Sequence, residues 1–488
     1  MTAAVSFAAR LRELAAAAPG APAVTCGGAT ATRAELDERS DDLAHELRSL
    51  GVEDGEMLTI ALPNGIEWFV ATVAAWKLGA VPQPVSARLP RRELEAVVDL
   101  AHPTVVLGLD PGSLPGRTCL PVGHRSSHDP DAEPLDDAVS PAWKAPTSGG
   151  STGRPKLIVA GDKSLTDPTL PPPLLLERDG CLVMPGPLYH NGPIVWSCYA
   201  LLAGNHVVVL PRFDAEATLA AIATHRADIV YMVPTMMKRI WALPDDVRLG
   251  YDLSSLRVVW HLAEPCPPWL KQAWIDWLGP ERIVELYGGT EAQLSTTITG
   301  VEWLEHRGSV GRPLMGEISI RDVDGNVLGP GEEGEVWLRS ASPKPTYRYV
   351  GAEARTLEGG WESLGDMGRL DEDGYLHLGD RSADMVLVGG SNVYPAEVES
   401  ALLEHPAVRS CAVIGLPDDE RGNRLHAIVE ADPAEVATDD LLAFLADRLV
   451  AYKRPRTVEL VDTPLRDDAG KVRRSRLRAE RLDPSGST

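Results

Sequence analysis

The chain has 488 residues, of which 44% are hydrophobic and 24% charged. At roughly 150 residues per domain this length fits about three domains, or one large domain with a smaller partner, and excludes a single small module or a globally disordered chain. Lys plus Arg number 47 against 70 for Asp plus Glu, and the resulting formal charge of -23 repels polyphosphate backbones, so nucleic acid and anionic membranes are not expected partners.

The six cysteines (Cys26, Cys119, Cys181, Cys198, Cys266, Cys411) are far apart and form no C-x-x-C pair, which indicates neither a zinc site nor a disulfide framework. Reduced cysteines in a cytoplasmic protein are the expectation. Arg10, Arg12 and Glu13 interrupt the Ala-rich N-terminus, and no later run approaches 18 apolar residues, so neither a signal peptide nor a membrane span is read.

From Ala31 to Gly51, a T-x-x-E start followed by Leu36, Leu43, Leu47 and Leu50 at helical spacing predicts a helix docked by one face. Apolar runs rich in β-branched residues then recur at Val105–Leu107, Val207–Leu210, Ile229–Val233, Val258–Val259 and Ile283–Leu286, with helix-like segments between them. That alternation predicts an α/β protein with largely parallel sheets. Gly123–Ala142 is rich in Ser, Asp, Pro and His without periodicity and reads as an exposed connection. Beyond Gly374 the texture becomes strand, turn, strand, helix, strand, so a hinge near Asp380 and a separate C-terminal domain are expected.

The first segment with chemistry is Thr147-Ser148-Gly149-Gly150-Ser151-Thr152-Gly153-Arg154-Pro155-Lys156. Glycines free the backbone to turn successive N–H groups onto an anion, while the hydroxyls and the ammonium add donors, so the loop can wrap phosphate; a flexible Gly/Ser turn is the bland alternative. A Walker A loop fails because the lysine lies three residues after Gly153 and a strand-like run follows. By letters, Gly149–Gly153 also spell G-x-S-x-G, which would make Ser151 a hydrolase nucleophile, but a nucleophile elbow needs a following helix. Gly329–Gly334 spell G-x-G-x-x-G with two acids inside and read as a hairpin turn.

Further along, His190 and Asn191 follow an apolar run, where ligand sites of open sheets collect. Tyr287, Gly288, Gly289, Thr290 and Glu291 end a buried strand with an aromatic, two glycines, a hydroxyl and a carboxylate, a set able to stack a base, approach phosphate and ligate Mg²⁺. Asp366 suits ribose hydroxyls, and Lys471, on a loop ahead of an arginine-rich helix, could enter a phosphate site as a point charge.

Taken in order, TSGGSTGRPK, YHNG, AEP (Ala263, Glu264, Pro265), YGGTE, GD, GDR with GGSNVYPAEVE, and GK resemble the adenylate-forming superfamily of acyl-CoA synthetases, peptide-synthetase adenylation domains and luciferases, over nearly the whole chain. The resemblance implies an α/β fold with an N-terminal domain (1–379) of two αβ subdomains plus a small β-barrel, a hinge (380–384), and a mobile α+β C-terminal domain (385–488). It implies ATP, CoA and Mg²⁺ as co-reactants. Thr147, Ser148, Gly149, Gly150, Ser151, Thr152, Gly153 and Lys156 would hold the β- and γ-phosphates, and Ala263, Glu264, Pro265, Tyr287 and Gly288 would line the adenine. Asp366 and Arg381 would bind ribose, Thr290 phosphate and Glu291 Mg²⁺. His190 would stand beside the acyl carboxylate, Lys471 would bridge carboxylate and α-phosphate, and Gly389 and Gly390 would let the CoA arm pass. Where relatives often carry Asp or Lys at the pivot, this chain has Ala383, followed by Asp384.

The activity expected is an AMP-forming acid–CoA ligase that works through an acyl-adenylate. The alternative is a stand-alone adenylating enzyme that serves an amine, a carrier protein or another acceptor, with nitrite activation for diazo formation among its forms. A serine hydrolase at Ser151 and a silent nucleotide-binding module are further readings. The lack of an acidic residue at His190-Asn191 favours an acid without an α-amino group, and His261–Leu270 looks closest to fatty, steroid or bile-acid ligases. No carrier-protein domain is read after Lys471, and a homodimer is left open.

Overall fold

The computed structural model describes residues 4–127, 133–149, 155–381, 385–388, 391–418, 422–467 and 471–482. Its largest sheet has nine strands in the order Arg312–Pro313, Ser295–Thr299, Ile283–Gly288, Val258–Leu262, Ile229–Met232, Cys181–Met184, His206–Val209, Pro22–Cys26 and Ala29–Thr32. The six strands from Ile283–Gly288 to Pro22–Cys26 run parallel, and the edges are antiparallel. Every residue of Val258–Leu262, Ile229–Met232 and Cys181–Met184 is buried, as expected when helices cover both faces of a parallel sheet. A second sheet (Val81–Pro84, Met57–Ile60, Val105–Leu107, Thr118–Leu120) is wholly parallel.

The helix expected near Ala31–Gly51 spans Arg33–Ser49. Its T-x-x-E start is a capping box: the Thr32 hydroxyl accepts from Glu35 N at 3.2 Å, and the Glu35 carboxylate accepts from Thr32 N at 2.7 Å. Leu36, Leu43 and Leu47 face the core as the spacing predicts.

The Gly123–Ala142 connection is more anchored than its composition suggests. Leu135, Ser140 and Ala142 are buried, and Ser140 Oγ donates to Ala80 O at 2.6 Å. A segment without periodicity can still be fixed by a few side chains that reach backbone groups elsewhere.

Five antiparallel strands (Glu317–Arg321, Gly334–Arg339, Arg355–Leu357, Trp361–Leu370, Leu376–Arg381) build the small barrel subdomain over a core of Leu294, Ile320, Val336, Leu338 and Leu376. Gly329–Gly334 link two of these strands, in keeping with a turn. The C-terminal segment has its own core, with Val393, Val398, Leu402, Val413, Leu425 and Leu441 among its buried residues, between the sheet of Ser410–Asp418, Gly422–Glu430 and Thr457–Val461 and the helices Pro395–Leu403 and Thr438–Ala446. The proposed hinge residues 382–384, Ala383 included, lie outside the described residues.

Beneath the end of the Ile283–Gly288 strand, Lys271 Nζ meets Glu285 Oε2 at 2.6 Å, both side chains buried. Burial pushes the Glu285 carboxyl up while Lys271 pulls it down, and the neighbouring His261 is held neutral by burial and by Lys271. Breaking such a pair leaves an uncompensated buried charge. Lys271→Met is therefore expected to lower stability by about 3–5 kcal/mol, with Lys271→Met/Glu285→Leu recovering most of the loss, as measured by urea unfolding.

Candidate active site

Thr147–Gly149 and Pro155–Ala160 form an antiparallel hairpin in which Ser148 pairs with Lys156 and Gly149 with Pro155. Strands on both flanks exclude the helix that a Walker A loop or a nucleophile elbow requires. Gly150, Ser151, Thr152 and Gly153 lie outside the described residues. Thr147 Oγ1 accepts from Gln83 Nε2 at 2.9 Å, and Gln83 Oε1 accepts from Thr59 at 2.8 Å, which fastens the hairpin to the four-stranded sheet. Lys156 Nζ lies 3.9 Å from the centre of the Tyr349 ring and 3.4 Å from Glu291 Oε1.

Glu291 follows the Ile283–Gly288 strand by three residues and is buried. Tyr349 donates to its Oε1 at 2.6 Å, and burial together with this bond pushes the phenol's pKa up. Thr346 Oγ1 donates to the Glu291 carbonyl at 2.8 Å, while Thr290 stands half-buried beside it. A Cβ on Gly289 would come within 2.5 Å of Leu364 Cδ1 and 2.8 Å of Glu291 Oε2, so the glycine makes room for this carboxylate. On the same strand, Tyr287 donates to Asp366 Oδ2 at 2.7 Å, and Asp366 is the ladder partner of Arg381. The two residues expected at ribose are thus cross-strand neighbours.

At the next strand end, Ala263 adopts φ +73°, a left-handed conformation that a residue with a Cβ holds at a cost. It presents Glu264, whose Oε2 accepts from Thr235 Oγ1 at 2.8 Å and Thr235 N at 3.1 Å. Glu264 Oε1 is buried without a partner among the described residues, and burial raises the carboxyl to about 7 against the pull of Arg466 and Thr235. Pro265, which follows, is exposed.

His190 occupies the N-cap position of the Asn191–Leu202 helix, and its Nε2 is buried without a partner among the described residues. Its pKa is pushed down to about 3, first by burial and then by the positive charge of Lys471. Lys471 is held in its loop by a bond from its own N to Asp467 Oδ1 at 2.9 Å. The C-terminal segment is moored where Lys238 Nζ donates to Leu403 O at 2.7 Å and Val408 O at 2.8 Å, and where Arg473 meets Glu93 at 2.9 Å. Gly389 and Gly390 lie outside the described residues, between the strands Val386–Val388 and Ser391–Val393.

His190, Glu264, Tyr287 and Glu291 therefore all follow or end parallel strands of one sheet, at the carboxyl edge where open α/β sheets bind ligands. Tyr349, Thr235, Lys238 and Lys144 were not singled out by the sequence. Tyr349 sits in a strand-like TYRYV run, and nothing local marks its phenol as a partner for a carboxylate 58 residues away. Among the described residues no helix is long and apolar enough to cross a membrane.

Residues 11–348 match the AMP-binding enzyme family, and residues 397–471 match the AMP-binding enzyme C-terminal domain. The chain is 33% identical over 479 residues to a feruloyl-CoA synthase from Amycolatopsis, covering 94% of this chain and 96% of that protein. Two solved structures are similar along their length. One is the o-succinylbenzoate CoA synthetase of Bacillus subtilis in complex with its acyl-adenylate intermediate (TM-score 0.80, 25% identity, 97% and 98% covered). The other is the amide bond synthetase McbA of Marinactinospora thermotolerans (TM-score 0.78, 28% identity, 97% and 98% covered).

Because the folded pKa of His190 is about 3 and that of an unfolded histidine about 6.5, only the unfolded chain takes up this proton between those values. The histidine's contribution to stability is complete above about pH 6.5 and is lost as the pH falls. His190→Gln is expected to reduce the stability lost between pH 7 and pH 5 by up to about 2 kcal/mol, read from urea midpoints at the two pH values; an unchanged loss would contradict a buried neutral ring.

Proposed function

The chain belongs to the AMP-binding enzyme family, in the acid–CoA ligase branch of adenylate-forming enzymes, and on that premise we propose that it makes an acyl-CoA through an acyl-adenylate. The observation that supports this reading is the set of His190, Glu264, Tyr287 and Glu291 at the carboxyl edge of one sheet, with Lys156 of the hairpin 3.4 Å from Glu291 Oε1.

In the first half-reaction a carboxylate oxygen bonds to the α-phosphorus of ATP, and the bond to pyrophosphate breaks. Two anions must approach, so catalysis is chiefly a matter of placing positive charge where charge spreads over the phosphoryl oxygens. We assign Lys471 to bridge the carboxylate and the α-phosphate, and Lys156 with the Thr147–Gly153 loop to the β- and γ-phosphates. A neutral His190 can position the carboxylate without repelling Lys471. Ala263–Pro265 with Tyr287 and Gly288 would receive the adenine, and Asp366, oriented by Tyr287, would accept from ribose with Arg381 beside it.

The Glu291 carboxylate suits Mg²⁺: its Oε2 has no hydrogen-bond partner among the described residues, and one carboxylate plus substrate phosphates is the usual way this cation is held. Mg²⁺ bound there would neutralise phosphate charge; Thr290 would add a hydroxyl to the phosphate. In the second half-reaction the CoA sulfur bonds to the acyl carbon, AMP leaves, and the thiol proton passes to solvent. We place the swing that exchanges these states at 380–384, with Gly389 and Gly390 along the path of the CoA arm. Relatives are named for feruloyl and succinylbenzoyl groups and for long-chain fatty acids alike, so aromatic and fatty acids both belong in the assay.

Two outcomes test this reading. Lys471→Ala is expected to slow acid-dependent pyrophosphate release by roughly 10²- to 10³-fold while ATP binding persists; an unchanged rate would remove Lys471 from the role. Turnover with an aromatic acid is expected to require CoA and to yield a thioester. Release indifferent to CoA would instead direct the acyl group to an amine or a carrier protein.

A further inference from the structure

Lys144 lies just ahead of the phosphate-loop hairpin in a segment fixed by backbone bonds on both sides, Ala145 N to Pro82 O and Ala160 N to Lys144 O. Its side chain runs inward and the residue is only 5% exposed. The ammonium donates to Asn191 Oδ1 and lies 4.9 Å from the centre of the Trp143 ring. No carboxylate is within ion-pair distance of it among the described residues. An ammonium carries three N–H donors, and a single neutral amide satisfies only one of them.

The other buried lysines are treated differently. Lys77 is paired with Asp37 and Asp41, Lys271 with Glu285, and Lys238 bonds two backbone carbonyls. A buried charge is costly unless paired and fully hydrogen-bonded, so among the described residues Lys144 stands out as a cation short of acceptors. Its partner residue, Asn191, is half-buried, adjoins His190 and opens a 12-residue helix whose N-terminus has no side-chain cap. The ammonium thus bonds the first residue of that helix, next in the chain to His190, whose buried Nε2 has no partner among the described residues. Lys471 lies on the C-terminal loop, and its charge acts on His190, whereas Lys144 bonds Asn191 from the interior, so the two cations are supplied from different elements.

Resting on the adenylation reading above, we propose that Lys144, with Asn191, binds a second anionic group on the acid substrate, so that the preferred substrates are dicarboxylic or equivalently dianionic acids whose two charges are close together. One carboxylate would react at Lys471 while the other supplies the acceptors that Lys144 lacks. Burial lowers the Lys144 pKa to about 8, against the attraction of Cys198 and Glu291, so the ammonium form still prevails at pH 7.

The test measures kcat/KM for acid-dependent pyrophosphate release at pH 7 with matched pairs: succinate and butyrate, glutarate and valerate, phthalate and benzoate. In the unaltered enzyme at least one diacid is expected to exceed its monoacid partner tenfold or more, and Lys144→Met should reduce that ratio about tenfold, chiefly through KM, with Lys144→Arg keeping part of it. Monoacids matching or exceeding the diacids in every pair would overturn the inference, and this arm needs no variant. A diacid preference that Lys144→Met leaves intact would overturn the assignment to Lys144. No release with any acid, while ATP still binds, would instead bring down the adenylation reading on which the inference stands.

Discussion

A parallel strand covered by helices on both faces has no solvent side on which to keep a polar residue, and the arrangement of the candidate site follows from that constraint. Val258–Leu262 is buried throughout, and its polar successor, Glu264, appears only past the strand end. Cys181–Met184 is likewise buried throughout and Ile283–Gly288 over its first three residues, and they deliver His190 and the Tyr287–Glu291 stretch to the same edge. The exceptions, His261 and Glu285, are tolerated because Lys271 stands against the carboxylate and the imidazole is neutral. The sheet separates a dry interior from a polar rim, and the chemistry is confined to the rim.

Electrostatics sharpen this arrangement. A chain with a formal charge of -23 would repel a nucleotide triphosphate and a carboxylate alike if its charge were evenly spread. Instead the rim collects Lys156, Lys471 and, from the interior, Lys144. Lys156 rests against Glu291 and the Tyr349 ring. On the proposed reading a phosphate would take over the lysine as the carboxylate turns to other partners, so that ion partners are exchanged without first exposing a bare charge.

The sequence was most legible where function is written locally. Glycines, hydroxyls and a lysine packed between Thr147 and Lys156, or Tyr287 to Glu291 at the end of an apolar run, suggest an anion site because that chemistry needs those atoms within a few residues. The capped helix at Arg33–Ser49 and the parallel strands were legible for the same reason, since periodicity is local. Partnerships across the fold were not. Thr235 on Glu264, Tyr349 on Glu291 and Lys144 on Asn191 join segments 29, 58 and 47 residues apart, and each residue alone resembles ordinary helix, strand or core. The anchoring of Gly123–Ala142 through Ser140 escaped composition in the same way.

The moorings seen between the C-terminal segment and the rest of the chain are polar: Lys238 on two carbonyls at the end of the Pro395–Leu403 helix, and Arg473 on Glu93. Such contacts exchange for water at little net free energy. A swing about the proposed hinge that breaks only these bonds would carry a small heat-capacity change, so the enthalpy separating the two orientations would stay nearly constant with temperature. The ratio of the two orientations would then follow a straight van't Hoff line from a cold cell to a warm one.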